Sequence, residues 1–340
     1  MSTTEQRISC GPRTIPEAEI YAALARSAQA AVQALSREQL DEGGAPCLET
    51  ISRGQERLLT PRPYLSALTY RCLDFFDPSS IWGEASSFSW LREPLRNHLI
   101  AEVARIRWNL RQSLARQRGP GTGWRLYGRA GLAEIDPGTT AAATLVLVGS
   151  RPGAPHRPLD RELLSLLREF ARPFEMGSQK PPDWIAAAEI TGALTICDRR
   201  NLLLESRLRN HLEKSGTIQP SPLSLPEIQT VTNLWRKAAL PGLDAIAEWL
   251  IPELLSRQDE SGRFGTPHET ALALNSLLDL GDSGPHLARA AIALLRDQKQ
   301  SGLWLSEVNS PGDPVSSMLT CALCFSAIAR GTHIVDWGEI

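Results

Sequence analysis

QKQSGLW, residues 298–304, and QDESGRF, residues 258–264, share one form: Gln, three residues, Gly, one residue, an aromatic ring. A looser copy runs through Gln117, Gly121 and Trp124 with one residue inserted. A degenerate one, QLDEGGA, starts at Gln39 and lacks the ring. The chemistry suits a joint between helices. Gln can hydrogen-bond free backbone groups at a helix end. Gly takes the backbone angle that lets the chain turn. The ring packs against the next unit. Self-similarity at this spacing marks a repeat architecture.

Each joint is followed by a Pro that opens an apolar stretch: RPYLSAL, DPGTTAA, PPDWIAA, LPEIQTV, TPHETAL and DPVSSML. Their prolines are Pro63, Pro137, Pro182, Pro226, Pro267 and Pro314, and the last five lie 45, 44, 41 and 47 residues apart. The first gap, 74 residues, holds an insertion around IWGEASSFSW. Pro is favoured at the first helical position, where its missing N–H would be unpaired anyway. Stretches such as 93–117, 160–171, 201–213, 243–257 and 285–298 place apolar residues at three- and four-residue spacing, the mark of amphipathic helices. The pattern predicts an all-α (α/α)6 double ring of six helical hairpins. The Pro-led helices form the inner barrel and the amphipathic ones the outer layer. TLVLV at 144–148, the best strand-like string, continues an Ala-rich helical run. Residues 21–330 read as one toroid domain, with 1–20 an extension and 331–340 a tail.

Composition bounds the partners. The chain has 340 residues, 42% of them hydrophobic, enough for a large core. A net charge of −2 gives nucleic acid no electrostatic foothold. No apolar run reaches the roughly 18 residues of a membrane span. The polar N-terminus has no signal-peptide core, so a cytoplasmic protein is expected. Six scattered cysteines suggest no disulfide framework. Cys321 and Cys324, in TCALCFSAIA, read as core residues.

Gln-x3-Gly-x-Trp is the repeat motif of the squalene–hopene cyclase family. Over roughly residues 30–330 the chain resembles that family and the related prenyltransferase β-subunits, as a pattern more than as identity. The resemblance implies a double ring of helices around a central apolar cavity. It also implies proton-initiated cyclisation or isomerisation of a prenyl chain. Class II terpenoid cyclases carry Asp-x-Asp-Asp-Thr-Ala or Asp-x-Asp-Thr-Thr, whose middle Asp delivers the proton. DPGTTA falls onto the second form. Asp136 matches the first Asp, and Thr139 and Thr140 match the threonines. Gly138 stands where the protonating Asp belongs. The zinc-dependent prenyltransferases place a His two residues before a Cys, where LTCAL has Leu319, so a zinc site is not expected. No fixed cofactor is implied; Mg²⁺ enters only if the substrate is a diphosphate. DFFDP at 74–78 is the nearest string to an Asp-rich metal motif and reads as a loop.

If the six Pro-led helices line a barrel, their N-termini meet at one mouth. The residue after each Pro is Tyr64, Gly138, Asp183, Glu227, His268 or Val315. The expected catalytic set is Asp136, Asp183, His268 and Glu227. Asp183 is the relocated proton donor, and Asp136 caps its helix and orients the donor. A helix N-terminus disfavours a cation, so His268 is expected neutral. Tyr64, Trp124, Tyr127, Thr139, Thr140, Trp184, Glu269 and Asp313 are the expected substrate contacts, the rings attracting carbocations through their faces. Each of these also has a purely structural explanation. Asp136 and Asp313 are good N-caps, Thr266 and Glu269 spell a capping box, and Trp124 lies in the glycine-rich joint GPGTGWRLYG. Two rival functions stay open: a cyclase-fold protein that has lost the acid and only binds an apolar ligand or partner, and a sugar-active toroid enzyme.

Overall fold

The computed structural model describes residues 17–40, 43–49, 58–76, 90–118, 123–125, 135–148, 161–176, 183–197, 199–217, 223–237, 242–304 and 317–334. Twelve α-helices lie among them. The even-numbered ones are α2 (Pro63–Leu73), α4 (Pro137–Val148), α6 (Trp184–Ile196), α8 (Leu225–Lys237), α10 (Pro267–Asp279) and α12 (Ser317–Ile334). Each packs against the next, and α12 returns to α2, so the six close into a ring. The odd-numbered helices form the outer layer: α1 (Glu17–Glu38), α3 (Glu93–Gln117), α5 (Arg161–Met176), α7 (Leu202–Thr217), α9 (Leu243–Leu255) and α11 (Pro285–Asp297). One element departs from the helical pattern. A short antiparallel hairpin, β1 (Pro46–Glu49) with β2 (Leu58–Pro61), precedes α2.

Composition sorts the layers. α4 is buried without a break from Gly138 to Val146, α6 from Ala186 to Leu194, and α10 from Thr270 to Asp279. A helix buried all round must be apolar all round, and the alanine runs let neighbours approach closely. TLVLV is helical, in the last turns of α4. The outer helix α3 instead buries a stripe of Leu99, Val103, Ile106, Leu110 and Leu114. Cys321 and Cys324 are buried in α12, with burial pushing both thiols up.

Three of the joints follow one plan, while Gln117 of the looser copy donates instead to the Ser113 hydroxyl of its own helix at 2.8 Å. Gln39 Nε2 donates to the Gly43 carbonyl (3.1 Å) and to Ile106 on α3 (3.0 Å). Gln258 donates to Gly262 (3.0 Å) and to His286 on α11 (3.0 Å). Gln298 donates to Gly302 (3.0 Å) and to Ser27 on α1 (3.2 Å). The Gln therefore spans the turn and grips the next outer helix, rather than the end of its own. The glycines hold φ of +82°, +90° and +87° and lie against the same three helices; a Cβ on Gly302 would stand 2.2 Å from the Ala30 carbonyl oxygen. The third joint residue is tied inward. The amides of Ala45, Trp124 and Phe264 donate to Ser66, Thr140 and Thr270, each the fourth residue of its inner helix. The indoles of Trp124 and Trp304 donate to Leu114 and Leu294 on the preceding outer helix, at 2.8 and 2.7 Å.

Candidate active site at the mouth of the inner ring

The inner helices run parallel, so their N-termini share one end. Pro63, Pro137 and Pro267 each take the first helical position. Two helices break that register. α6 starts at Trp184, so Asp183 is its N-cap, accepting from the Ala186 amide at 3.0 Å. α8 starts at Leu225, with Pro226 second. Asp183 therefore occupies the place of Asp136, whose Oδ2 accepts from the Thr139 amide at 2.6 Å, and not the place of Gly138. Glu227 falls one position later than expected and closes a cap with Ser224, accepting from its amide (2.9 Å) and hydroxyl (2.7 Å). His268 and Tyr64 do share the helical position of Gly138. The consecutive prolines at 181–182 hid the first shift, because Pro is compatible with the position before a cap as well as the position after it.

Among the expected site residues, Tyr64, Asp136 and Asp183 come together on adjacent helices α2, α4 and α6. The Tyr64 hydroxyl is pushed well above its ordinary range by burial first, then by the charge of Glu189; Arg71 opposes this, and Asp183 and Asp136 add to it. The phenol is thus a neutral hydrogen-bond donor close to three carboxylates. His268 lies across the ring on α10, its Nδ1 3.1 Å from the Thr320 hydroxyl of α12. Thr139 is buried, and its hydroxyl has no partner among the described residues.

Other expected contacts are engaged elsewhere. The Thr140 hydroxyl and the Trp124 ring are held in the joint. Glu269 completes the capping box, accepting from the Thr266 amide at 2.8 Å while its own amide donates to the Thr266 hydroxyl. Trp184 turns to the outer layer, where its ring stacks on His211 of α7 at 4.0 Å. Tyr127 and Asp313 lie outside the described residues. Among the described residues no three His, Cys, Asp or Glu side chains cluster to hold a metal, and Asp74 is committed to an ion pair with Arg107.

Deeper in the ring stands a pair the sequence did not single out. Arg71 of α2 donates to both carboxylate oxygens of Glu189 on α6 at 2.6 Å, and to Asn233 on α8 at 3.0 Å. Neither α6 nor α8 neighbours α2 in the ring, so the side chain crosses the lumen. Glu189 is 0% exposed. Burial works against the charge of Arg71, but the Glu189 carboxylate outweighs it and holds the guanidinium pKa above its ordinary value. Asn233 continues the network to Asp279 (3.3 Å), which also accepts from Arg236 (3.2 Å) and Arg330 (2.6 Å). The available signal was a lone acid in the otherwise apolar WIAAAEITGALTI.

No protein-family model matches the chain, and no curated protein matches it. Solved structures do. A variant of the type II terpene cyclase MstE from Scytonema, bound to its substrate geranylgeranyl dihydroxybenzoate, superposes with a TM-score of 0.63 at 17% identity, over 93% of this chain and 99% of that one. A second variant, bound to the product merosterolic acid A, gives 0.61 at 16%, over 93% and 99%. The fold is that of the type II terpene cyclases. At this identity the likeness is one of architecture, and the terpene-cyclase fold leaves the chemistry to the residues at the mouth. No helix among the described residues is long and apolar enough to cross a membrane.

Proposed function

We propose that the chain is a terpenoid cyclase-like enzyme that takes a prenyl chain into its inner ring and cyclises or isomerises it after protonation. The observation that carries this is the lumen face of α2. Its partly buried residues fall at 64, 68, 70, 71 and 72 while Ser66, Ala67 and Thr69 are fully buried; Tyr70 turns outward to Arg107 on α3, which leaves 64, 68, 71 and 72 as one stripe. An inner helix enclosed by neighbours on either side and by the outer layer behind has its accessible stripe on the lumen. Beside that stripe sit two carboxylates, Asp136 and Asp183, each using one oxygen for its cap. The type II cyclase MstE, whose fold this chain shares, binds a geranylgeranyl substrate.

In this reading the two capping acids Asp136 and Asp183 act as a pair, one delivering the proton and the other orienting it, and Tyr64 hydrogen-bonds the acid–substrate pair. His268 flanks the far wall. Residues 21–330 act as one domain. The test is incubation with geranylgeranyl dihydroxybenzoate, geranyl, farnesyl and geranylgeranyl diphosphates and free polyprenes, with and without Mg²⁺, in D₂O. Proton-initiated ring closure must place one deuteron in a new cyclic product. A second reading has a specific observation in its favour, the Gly138 in the acid's place: the ring binds an apolar ligand without turning it over. Ligand-induced thermal stabilisation with no product across the panel would support it.

A further inference from the structure

The polar crossing in the lumen has a consequence for substrate size. We propose that the Arg71–Glu189–Asn233 bridge is the floor of the substrate chamber and fixes the longest prenyl chain the ring accepts. This rests on the prenyl reading above. Arg71 reaches α6 and, on the opposite side of the ring, α8. Any chain entering from the N-terminal mouth meets this crossing, and the pair is out of solvent, with side chains 8% and 0% exposed. The bridge is held from below by the chain of bonds through Asp279 to Arg330, so it does not swing aside without breaking several of them. Tyr64 and Arg71 are seven residues apart on one face of α2, so the bridge lies about 10 Å along the helix axis from the mouth. Leu68 stands on the same face, one turn above the bridge. A chain longer than that distance must coil upon itself, because an apolar chain cannot lengthen through an ion pair without stranding buried charge.

The test uses the full chain and needs no turnover. Geraniol, farnesol and geranylgeraniol are titrated against wild type and two variants, with tryptophan fluorescence as readout. Arg71→Leu with Glu189→Leu removes both charges together, which is tolerated far better than removing one. Leu68→Trp raises the floor by about one turn. The double variant should bind the longest alcohol at least tenfold more tightly than wild type does, relative to the shortest. Leu68→Trp should shift the preference at least tenfold toward the shorter alcohols. One chain-length preference common to all three proteins would overturn the floor. If the double variant does not fold, Leu68→Trp decides alone. Binding that follows this order without product spares the floor and sinks the enzymatic reading; no binding of any alcohol by any of the proteins sinks both.

Discussion

Asp136 and Asp183 perform the same local task on neighbouring helices, each accepting the amide three residues on. That equivalence changes which substitutions separate folding from chemistry. Asn caps about as well as Asp, whereas Ala loses about 1 kcal/mol. Asp183→Asn should therefore melt close to wild type and lose product formation, while Asp183→Ala should lose both. An Asn variant with full product formation would remove Asp183 from the chemistry. Gly138 gives the complementary experiment. A Cβ there meets Ala186 Cβ at 3.5 Å and Asp136 Oδ2 at 3.6 Å, ordinary contacts that admit a Cβ. Gly138→Asp should fold and place a second carboxyl beside Asp136, where like charges favour a shared proton and a usable acid. A rise in deuterium-labelled product is the expected outcome; a folded variant no more active than wild type would argue against it. The Asp136 cap and the Thr266–Glu269 box were legible in the sequence because capping needs particular side chains; the caps at Asp183 and Ser224 were not. The register was not, since Pro is compatible with more than one position near a helix start. Arg71 and Glu189 were not legible as partners, because spacing along two helices does not reveal who meets whom across a lumen.

The joint is the element most fully written in the sequence, because its geometry restricts residue type at every key position. Gln must reach two carbonyls, Gly must hold positive φ against a neighbouring backbone, and the amide that follows must find the hydroxyl of Ser66, Thr140 or Thr270. The copy at Gln39, which has Ala45 in place of the ring, keeps the Gln and Gly contacts. The ring is therefore packing and not the hinge. Gly302→Val has no room, given the 2.2 Å approach to Ala30, and should prevent soluble expression or lower stability by several kcal/mol. Trp304→Phe should be mild, since Phe264 fills the same place naturally. It loses only the indole bond to Leu294, about 1 kcal/mol. Thermal melting of the pair checks this, and equal losses would contradict the assignment of the hinge to glycine. The hairpin of β1 and β2 escaped the sequence reading, because two four-residue strands carry too little periodicity to stand out.

Across the whole molecule, two facts set stability: the inner ring closes from α12 to α2, and its lumen is bolted by charge. Tyr64 and Tyr70 both have hydroxyls raised above the ordinary range, mainly by burial. A group whose pKa is higher folded than unfolded stabilises the protein fully below the unfolded value, and that stability is lost as pH rises beyond it. Urea unfolding should therefore show stability falling above about pH 10, and Tyr64→Phe should blunt the fall. A flat profile would mean that the phenols are not held neutral. The charge network makes the sharper demand. Asp279 accepts from Arg236, Arg330 and Asn233, joining α8, α10 and α12 just where the ring must close on α2. Arg330 is nearly out of solvent, so removing its carboxylate strands a buried charge, which typically costs about 3–5 kcal/mol. Asp279→Ala should lower the melting temperature strongly, whereas Asp259→Ala, on an exposed joint, should barely move it. Asp279→Asn keeps an acceptor for Arg330 and should fall between them. If Asp279→Ala melts with wild type, the network is ornamental to the ring, and helix packing alone holds it closed.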